Sequence, residues 1–145
     1  MPVETPGYYE YFGRTFKLDS TPSGGLQGYL LNLDTGEFDV DSRPIKKVLF
    51  ATSTSDISKL TADDFVNETE ELRAYTLAGE GPIFALYDTI DAMFARKDVE
   101  SRGFTDQERA LIKSLRRRTF AMWEDELARR AAGEPPSFTV RRKNV

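Results

Sequence analysis

The sequence predicts an α+β fold, in which a small antiparallel β-sheet of three or four strands from the N-terminal half is covered by about three α-helices from the C-terminal half. Apolar residues alternate with polar ones up to about residue 50, whereas from Thr61 onward they recur every three or four positions. The 145 residues, 39% of them hydrophobic and 12% aromatic, are enough for one hydrophobic core. We therefore expect a single domain over residues 1–133 and a basic C-terminal tail over residues 134–145.

The N-terminal half is expected to form the strands of the sheet. They are predicted over Tyr8–Leu18, Leu26–Leu33, Glu37–Asp41 and Ile45–Ala51. A turn at Asp34, Thr35 and Gly36 would join the second and third of these into a hairpin. The Ser/Thr-rich stretch Thr52–Ser55, with Ser58 and Lys59 after it, is predicted to be a loop.

Three helices are predicted from start signals that precede apolar stripes. Thr61 is a candidate N-cap for the first helix, and Pro82 suits the first position of the second. Thr105 and Glu108 have the spacing of a capping box, which would open a third helix that runs to about Ala132. The carboxylates of the first helix are expected on a solvated face: Asp63, Asp64, Glu68, Glu70 and Glu71.

Tyrosines crowd the first predicted strand. Tyr8, Tyr9 and Tyr11 place aromatic rings on both of its faces, because successive side chains of a strand point in opposite directions. Tyr is a favoured residue of protein interfaces, so one face is a candidate partner surface. The alternative is that the chain itself covers both faces.

Charge is divided along the chain, whose net charge is −4. Residues 1–100 carry 9 basic and 18 acidic residues, whereas residues 101–145 carry 11 basic and 6 acidic ones. An acidic body with a basic end can neutralise itself, or it can offer opposite surfaces to different partners. The overall acidity disfavours non-specific binding of nucleic acid by the whole domain.

Two basic clusters stand in the C-terminal third. Arg116, Arg117 and Arg118 lie 100° apart on the third helix and fan around its circumference. They are expected to pair with the acidic body, to contact an acidic protein partner or to contact phosphate. The second cluster lies beyond the helix and consists of Arg141, Arg142 and Lys143.

Glu37, Asp39 and Asp41 alternate with Phe38 and Val40 and therefore share one face of a strand. Three carboxylates are possible ligands for a divalent cation, but the pattern of an EF-hand loop is not met. The face is therefore expected to be solvated or to form an acidic patch for a basic partner, and no metal site is predicted.

Asp34-Thr35-Gly36 has the letters of the aspartic-protease catalytic loop, in which two aspartates share a proton. A single copy in this chain would require a homodimer, and the second half is helical by its periodicity. A hairpin turn explains the same three residues, so no catalytic residue is assigned.

Composition excludes several kinds of chemistry. The chain has no Cys and no His, which removes thiolate chemistry and the commonest general base and metal ligand. No cofactor site is predicted. The glycines at 24, 25 and 28 lead into a strand rather than a helix, and in Gly79-Glu80-Gly81-Pro82, which does open a helix, Pro82 lacks an N–H and Glu80 would repel phosphate. The start of the chain lacks the pattern of a signal peptide, and no apolar run is long enough for a membrane helix, so a cytoplasmic protein is expected.

Three functions are compatible with these patterns. The first is a non-enzymatic protein–protein interaction module, such as an adaptor, an assembly factor or a structural subunit, with another protein or a second copy as its partner. The second is a nucleic-acid-associated factor that binds phosphate through the basic C-terminal third. The third is a carboxylate-based enzyme that uses Asp34 or the acidic strand face, with or without a metal ion.

Overall fold

The computed structural model describes residues 3–50 and 56–143, which form seven strands and four helices. In chain order these are β1 Gly7–Tyr11, β2 Arg14–Ser20, β3 Leu26–Leu31, β4 Phe38–Val40, α1 Ile45–Phe50, β5 Ile57–Leu60, α2 Ala62–Thr76, β6 Leu77–Gly79, α3 Pro82–Val99, α4 Asp106–Ala131 and β7 Val140–Arg142. A five-stranded antiparallel sheet has the order β4-β3-β2-β1-β5, and β6 pairs with β7. The predicted α+β fold is confirmed. None of the helices described is long and apolar enough to cross a membrane.

The single strand predicted over Tyr8–Leu18 is wrong, because the chain turns back in its middle. Phe12 and Gly13 have φ angles of 48° and 78°, and Tyr11 pairs with Arg14 across the turn. Two successive positive φ values are the signature of the tight turn that joins twisted antiparallel strands. Gly13 takes a positive φ without steric penalty, so it is the residue in this segment whose type indicates a turn.

The strand predicted over Ile45–Ala51 is also wrong, since Ile45–Phe50 form the short helix α1. Val48 is buried, and Ile45 and Leu49 pack beside it at the spacing of one helix face. The loop predicted at Ser58 and Lys59 is wrong, because both residues lie in β5, which pairs with β1. Ala51 and the loop predicted over Thr52–Ser55 lie outside the residues that the structure describes.

The two faces of the sheet are covered by different elements. On one face, α1 closes a cluster of buried apolar residues that includes Tyr9, Phe16 and Leu18. On the other face α2 packs against β1 and β2, α4 packs against α2, and α3 packs against α4. Thr15 of β2 and Thr69 of α2 join sheet and helix through hydroxyl groups 2.8 Å apart, both completely enclosed.

The predicted helix starts are confirmed. The Thr61 hydroxyl accepts a hydrogen bond from the Asp64 amide, and Pro82 stands at the start of α3. Thr105 and Glu108 form both halves of the capping box that opens α4. These caps satisfy amide groups that have no partner inside the helix.

The segment after α4 packs against the helices. Phe138 lies with its ring centroid 5.1 Å from that of Trp123 and 5.8 Å from that of Phe84. Beyond it, β7 pairs with β6, so the residues predicted as a basic tail include a strand. Arg142 is further tied to Asp34 by an ion pair of 2.7 Å.

Candidate functional site

An open groove of about 490 Å³ lies between the sheet and the helices α2 and α4. Its aromatic lining comes from both sides: Tyr8, Tyr29 and Phe38 from strands, and Phe65 and Phe120 from helices. Tyr8 pairs with Lys17, and Lys17 with Tyr29, so one row across β1, β2 and β3 points into the groove. The groove volume is within the range of ligand sites.

Phe65 is the centre of the aromatic lining. Its ring centroid lies 4.6 Å from that of Tyr8, 5.5 Å from that of Phe38 and 6.1 Å from that of Phe120. Phe65 is itself buried, whereas the other three rings are partly exposed. The groove therefore has a fixed aromatic floor with accessible edges.

Four charged side chains also line the groove. Lys17 and Asp19 form an ion pair of 3.8 Å on β2. Glu37, before β4, and Glu124, on α4, have no ion pair or side-chain hydrogen bond among the described residues. The four side chains together leave an excess of two negative charges at the groove.

A buried polar network lies directly behind this floor. The Arg73 guanidinium is centred 5.4 Å from the ring of Phe38, 5.7 Å from that of Phe120 and 4.6 Å from that of Trp123. Its Nη1 donates to Glu70 at 2.8 Å, and its Nε donates to the Gly36 carbonyl at 2.9 Å. Among the described side chains, its Nη2 is a buried nitrogen without a hydrogen-bond partner.

The expectation that Glu70 is solvated is wrong, because it lies at the centre of this network. Besides Arg73, it accepts a hydrogen bond of 2.8 Å from the Tyr87 hydroxyl, which in turn accepts from Trp123 Nε1 at 2.8 Å. Burial, and then the charge of Glu70, raises the pKa of Tyr87 well above its usual range. Tyr87 therefore remains a hydrogen-bond donor, and the network links α2, α3 and α4.

The three predicted tyrosines are divided between the two faces of the sheet. Tyr9 is buried in the cluster beneath α1, and Tyr11 is partly buried beside Phe12 and Phe16. Only Tyr8 reaches the groove. The chain thus covers much of the aromatic first strand, and one ring of the three belongs to the candidate site.

Much of the predicted basic surface is engaged within the chain. Arg116 donates to Glu71 and to Asn67, each at 3.0 Å. Arg142 is paired with Asp34, as described above, and Lys143 donates to the Ala74 carbonyl at 2.8 Å. The side chains that stay exposed without an ion pair among the described residues are those of Arg117, Arg118 and Arg141.

The predicted acidic patch is also divided. Asp39 accepts a hydrogen bond of 2.9 Å from Asn32, whereas Glu37 faces the groove. Asp41 binds Arg43 at 2.7 Å, and hydrogen bonding from that guanidinium holds the pKa of Asp41 at about 2. Within residues 3–50 and 56–143, acidic side chains form no group that could hold a metal ion.

Most of the groove does not follow from the sequence patterns. The alternation around Phe38 predicts only an apolar strand face, and no pattern assigns Tyr29, Phe65, Phe120 or Glu124 to a site. The available signal was the surplus of aromatic residues over what one small core needs. That surplus does not indicate which rings meet.

Comparison with protein family models, with curated protein sequences and with solved structures finds no match to this chain.

Proposed function

We propose that this protein is a non-enzymatic protein–protein interaction module that holds a segment of a partner protein in the groove between the sheet and helices α2 and α4. The observation that carries the proposal is the groove itself, which is open, about 490 Å³ in volume and lined by five aromatic rings. Aromatic residues supply much of the binding energy at protein interfaces, because each buries a large area with few rotatable bonds.

The architecture around the groove supports a binding role. Its floor is held by the ring contacts of Phe65, and the ion pair of Glu70 and Arg73 braces the rings from behind. A rigid site loses little conformational entropy when a ligand binds, which favours affinity.

The other two functions have less support in the geometry. Phosphate binding through the C-terminal third would use basic side chains of which Arg116, Arg142 and Lys143 are already engaged with the chain's own acceptors. A carboxylate enzyme would need carboxylates of Asp34 and the acidic strand face to act together. Asp34, Asp39 and Asp41 are each bonded to another side chain, and Glu37 alone of the four lines the groove. We therefore retain the interaction module alone.

The test is a selection of displayed peptides on the full-length protein, followed by affinity measurements on two matched variants. Ala128→Trp fills the groove from an exposed helical position, and Ala110→Trp adds the same ring at an exposed position of the same helix. The two sites are roughly 27 Å apart along α4. Both substitutions leave the buried core untouched.

We expect selected peptides to bind the wild type and Ala110→Trp equally and Ala128→Trp at least about tenfold more weakly. Circular dichroism and thermal unfolding verify that both variants are folded. A selection that enriches no peptide, or peptides whose affinity is the same for both variants, would overturn the proposal.

A further inference from the structure

We infer that the groove is specific for a basic partner segment and receives an Arg or Lys side chain from it, with the cationic group between Glu37 and Glu124. This inference rests on the proposed function and adds the chemistry of the segment. It follows from the charge of the groove and from the nature of its walls, which are independent observations.

The charge of the groove favours a cation. Lys17 is matched by Asp19, whereas Glu37 and Glu124 have no ion pair among the described residues. Glu37 lies on the sheet side of the groove, before β4, and Glu124 lies on the helix side, on α4. An incoming ammonium or guanidinium group would meet a carboxylate on each side. An acidic peptide or a phosphate group would meet two negative charges that have no ion-pair partner among the described residues, which disfavours it.

The walls suit the remainder of a basic side chain. The methylene stem of Arg or Lys covers apolar surface while its head remains near water, and the partly exposed Phe120 and Leu127 offer such a surface. Aromatic faces also attract cations directly. The groove therefore combines three contacts that a basic side chain makes at once: apolar, aromatic and ionic.

The chain itself shows that these rings accept a guanidinium. Arg73 lies within 5.7 Å of the ring centroids of Phe38 and Phe120, on the buried side of the groove lining. Its charge is matched by Glu70 at 2.8 Å. The pair leaves no net positive charge beneath the floor to repel a second cation.

The first measurement is an NMR titration of the full-length protein with three capped amino acids: N-acetyl-arginine amide, N-acetyl-norleucine amide and N-acetyl-glutamate amide. We expect the arginine compound to shift the ring resonances of Tyr8, Tyr29 and Phe120 in a saturable way. Norleucine has a comparable stem without the charge and is expected to bind at least about threefold more weakly. The glutamate compound is expected to cause no saturable shift.

The second measurement compares two charge-matched double variants. Glu37→Gln/Glu124→Gln removes both groove carboxylates, and Asp88→Asn/Glu134→Gln removes two exposed carboxylates that do not line the groove. Both variants change the net charge by the same amount, so a general attraction of cations to an acidic protein would affect them equally. We expect the groove variant to bind the arginine compound at least about threefold more weakly and the control to bind as the wild type does.

The outcomes separate this inference from the proposed function. Equal binding of norleucine and arginine, or an unchanged affinity in Glu37→Gln/Glu124→Gln, would overturn the cation assignment while groove-dependent peptide binding still stands. Choline, titrated in the same way as a fourth compound, represents a cation that is not part of a polypeptide. Tighter binding of choline than of the arginine compound would overturn the assignment to a polypeptide side chain. Peptides selected on the wild type should carry Arg or Lys at a shared position, and a consensus of acidic residues would contradict the inference.

Discussion

Arg73 and Glu70 form an ion pair of 2.8 Å in which neither side chain has any exposed area. They stand one helical turn apart on α2, and the aromatic rings of Phe38, Phe120 and Trp123 surround the guanidinium. A charge in such surroundings is tolerated only when its partner is present, because burial removes the hydration that would otherwise stabilise it. The pair therefore makes the packing of α2 against the sheet and α4 dependent on two opposite charges.

Removal of one partner is expected to destabilise the protein more than removal of both charges. Arg73→Met leaves the Glu70 carboxylate buried without a cation and should lower the free energy of unfolding by about 3–5 kcal/mol. Arg73→Met/Glu70→Gln keeps an acceptor for the Tyr87 hydroxyl without the charge and should be more stable than Arg73→Met. Urea unfolding measures both, and a double variant less stable than the single one would contradict this account.

The hydroxyl of Tyr87 is predicted to contribute about 1–3 kcal/mol to the free energy of unfolding, because it both donates to Glu70 and accepts from Trp123. Tyr87→Phe leaves the indole N–H without that acceptor in a site closed to water. Tyr75→Phe is the matched control, since Tyr75 is 66% exposed, and it should change stability by no more than about 0.5 kcal/mol. The fluorescence of Trp123, the one tryptophan of the chain, reports the unfolding of both variants.

Gly36 and Gly13 allow backbone strain to be separated from close packing. Both have φ of 78°, but a Cβ on Gly36 would lie 2.7 Å from Trp123 Cη2, whereas a Cβ on Gly13 would meet nothing within 4 Å. Gly13→Ala should lower the free energy of unfolding by about 1–2 kcal/mol through its backbone conformation alone. Gly36→Ala should lower it by about 1–3 kcal/mol more, because the methyl group enters a filled space. Thermal unfolding measures both variants. Equal losses of unfolding free energy would show that Trp123 moves away from the added methyl group at little cost, and would contradict the prediction.

Glu126 is expected to make the free energy of unfolding decrease when the pH falls into the acid range. Burial acts to raise its pKa, but hydrogen bonds from Ser137 and Arg130 outweigh burial and hold the pKa of Glu126 at about 2, below its ordinary value of 4.5. Its contribution is therefore complete above pH 4.5 and is lost as the pH falls towards 2. The difference in stability between the wild type and Glu126→Gln should shrink over this interval.

A control for that titration is Glu134→Gln, which alters an exposed carboxylate nearby in sequence. Its stability should follow the wild type at every pH between 2 and 7. A constant difference between the wild type and Glu126→Gln over the whole range would contradict the role given to Glu126.

Residues after Gly133 are predicted to contribute to the stability of the whole domain. A chain that ends at Gly133 loses Phe138 from the side of Trp123, the bonds from Ser137 to Glu126, and β7. We expect a lower midpoint of thermal unfolding and a red-shifted emission of Trp123. Phe138→Ala in the full chain should lower the free energy of unfolding by about 2 kcal/mol. The loss is smaller than for a fully buried ring, because Phe138 is partly exposed. Unfolding of the shortened chain at the midpoint of the full one would instead support a domain boundary at 133.

Features that depend on neighbours in sequence could be predicted. The caps at Thr61 and Thr105 and the start of α3 at Pro82 need only a few adjacent residues, and all three are confirmed. Ile45–Phe50 were misread, because a short apolar run buries one face either as a strand or as a helix. Packing against the sheet, which the run itself does not encode, decides between the two.

The sequence by itself determined the fold class, the starts of the three long helices and the lack of thiol and imidazole side chains, because composition and local patterns carry that information. Only the tertiary structure decided that Glu70 is buried while its neighbour Glu71 is exposed, since the register of α2 against α4 turns one carboxylate inward. It also decided that Tyr8, Phe65 and Phe120 line one groove, although they lie far apart in the chain. Such contacts are set by the pairing of strands and the docking of helices onto them, and no local pattern specifies that docking.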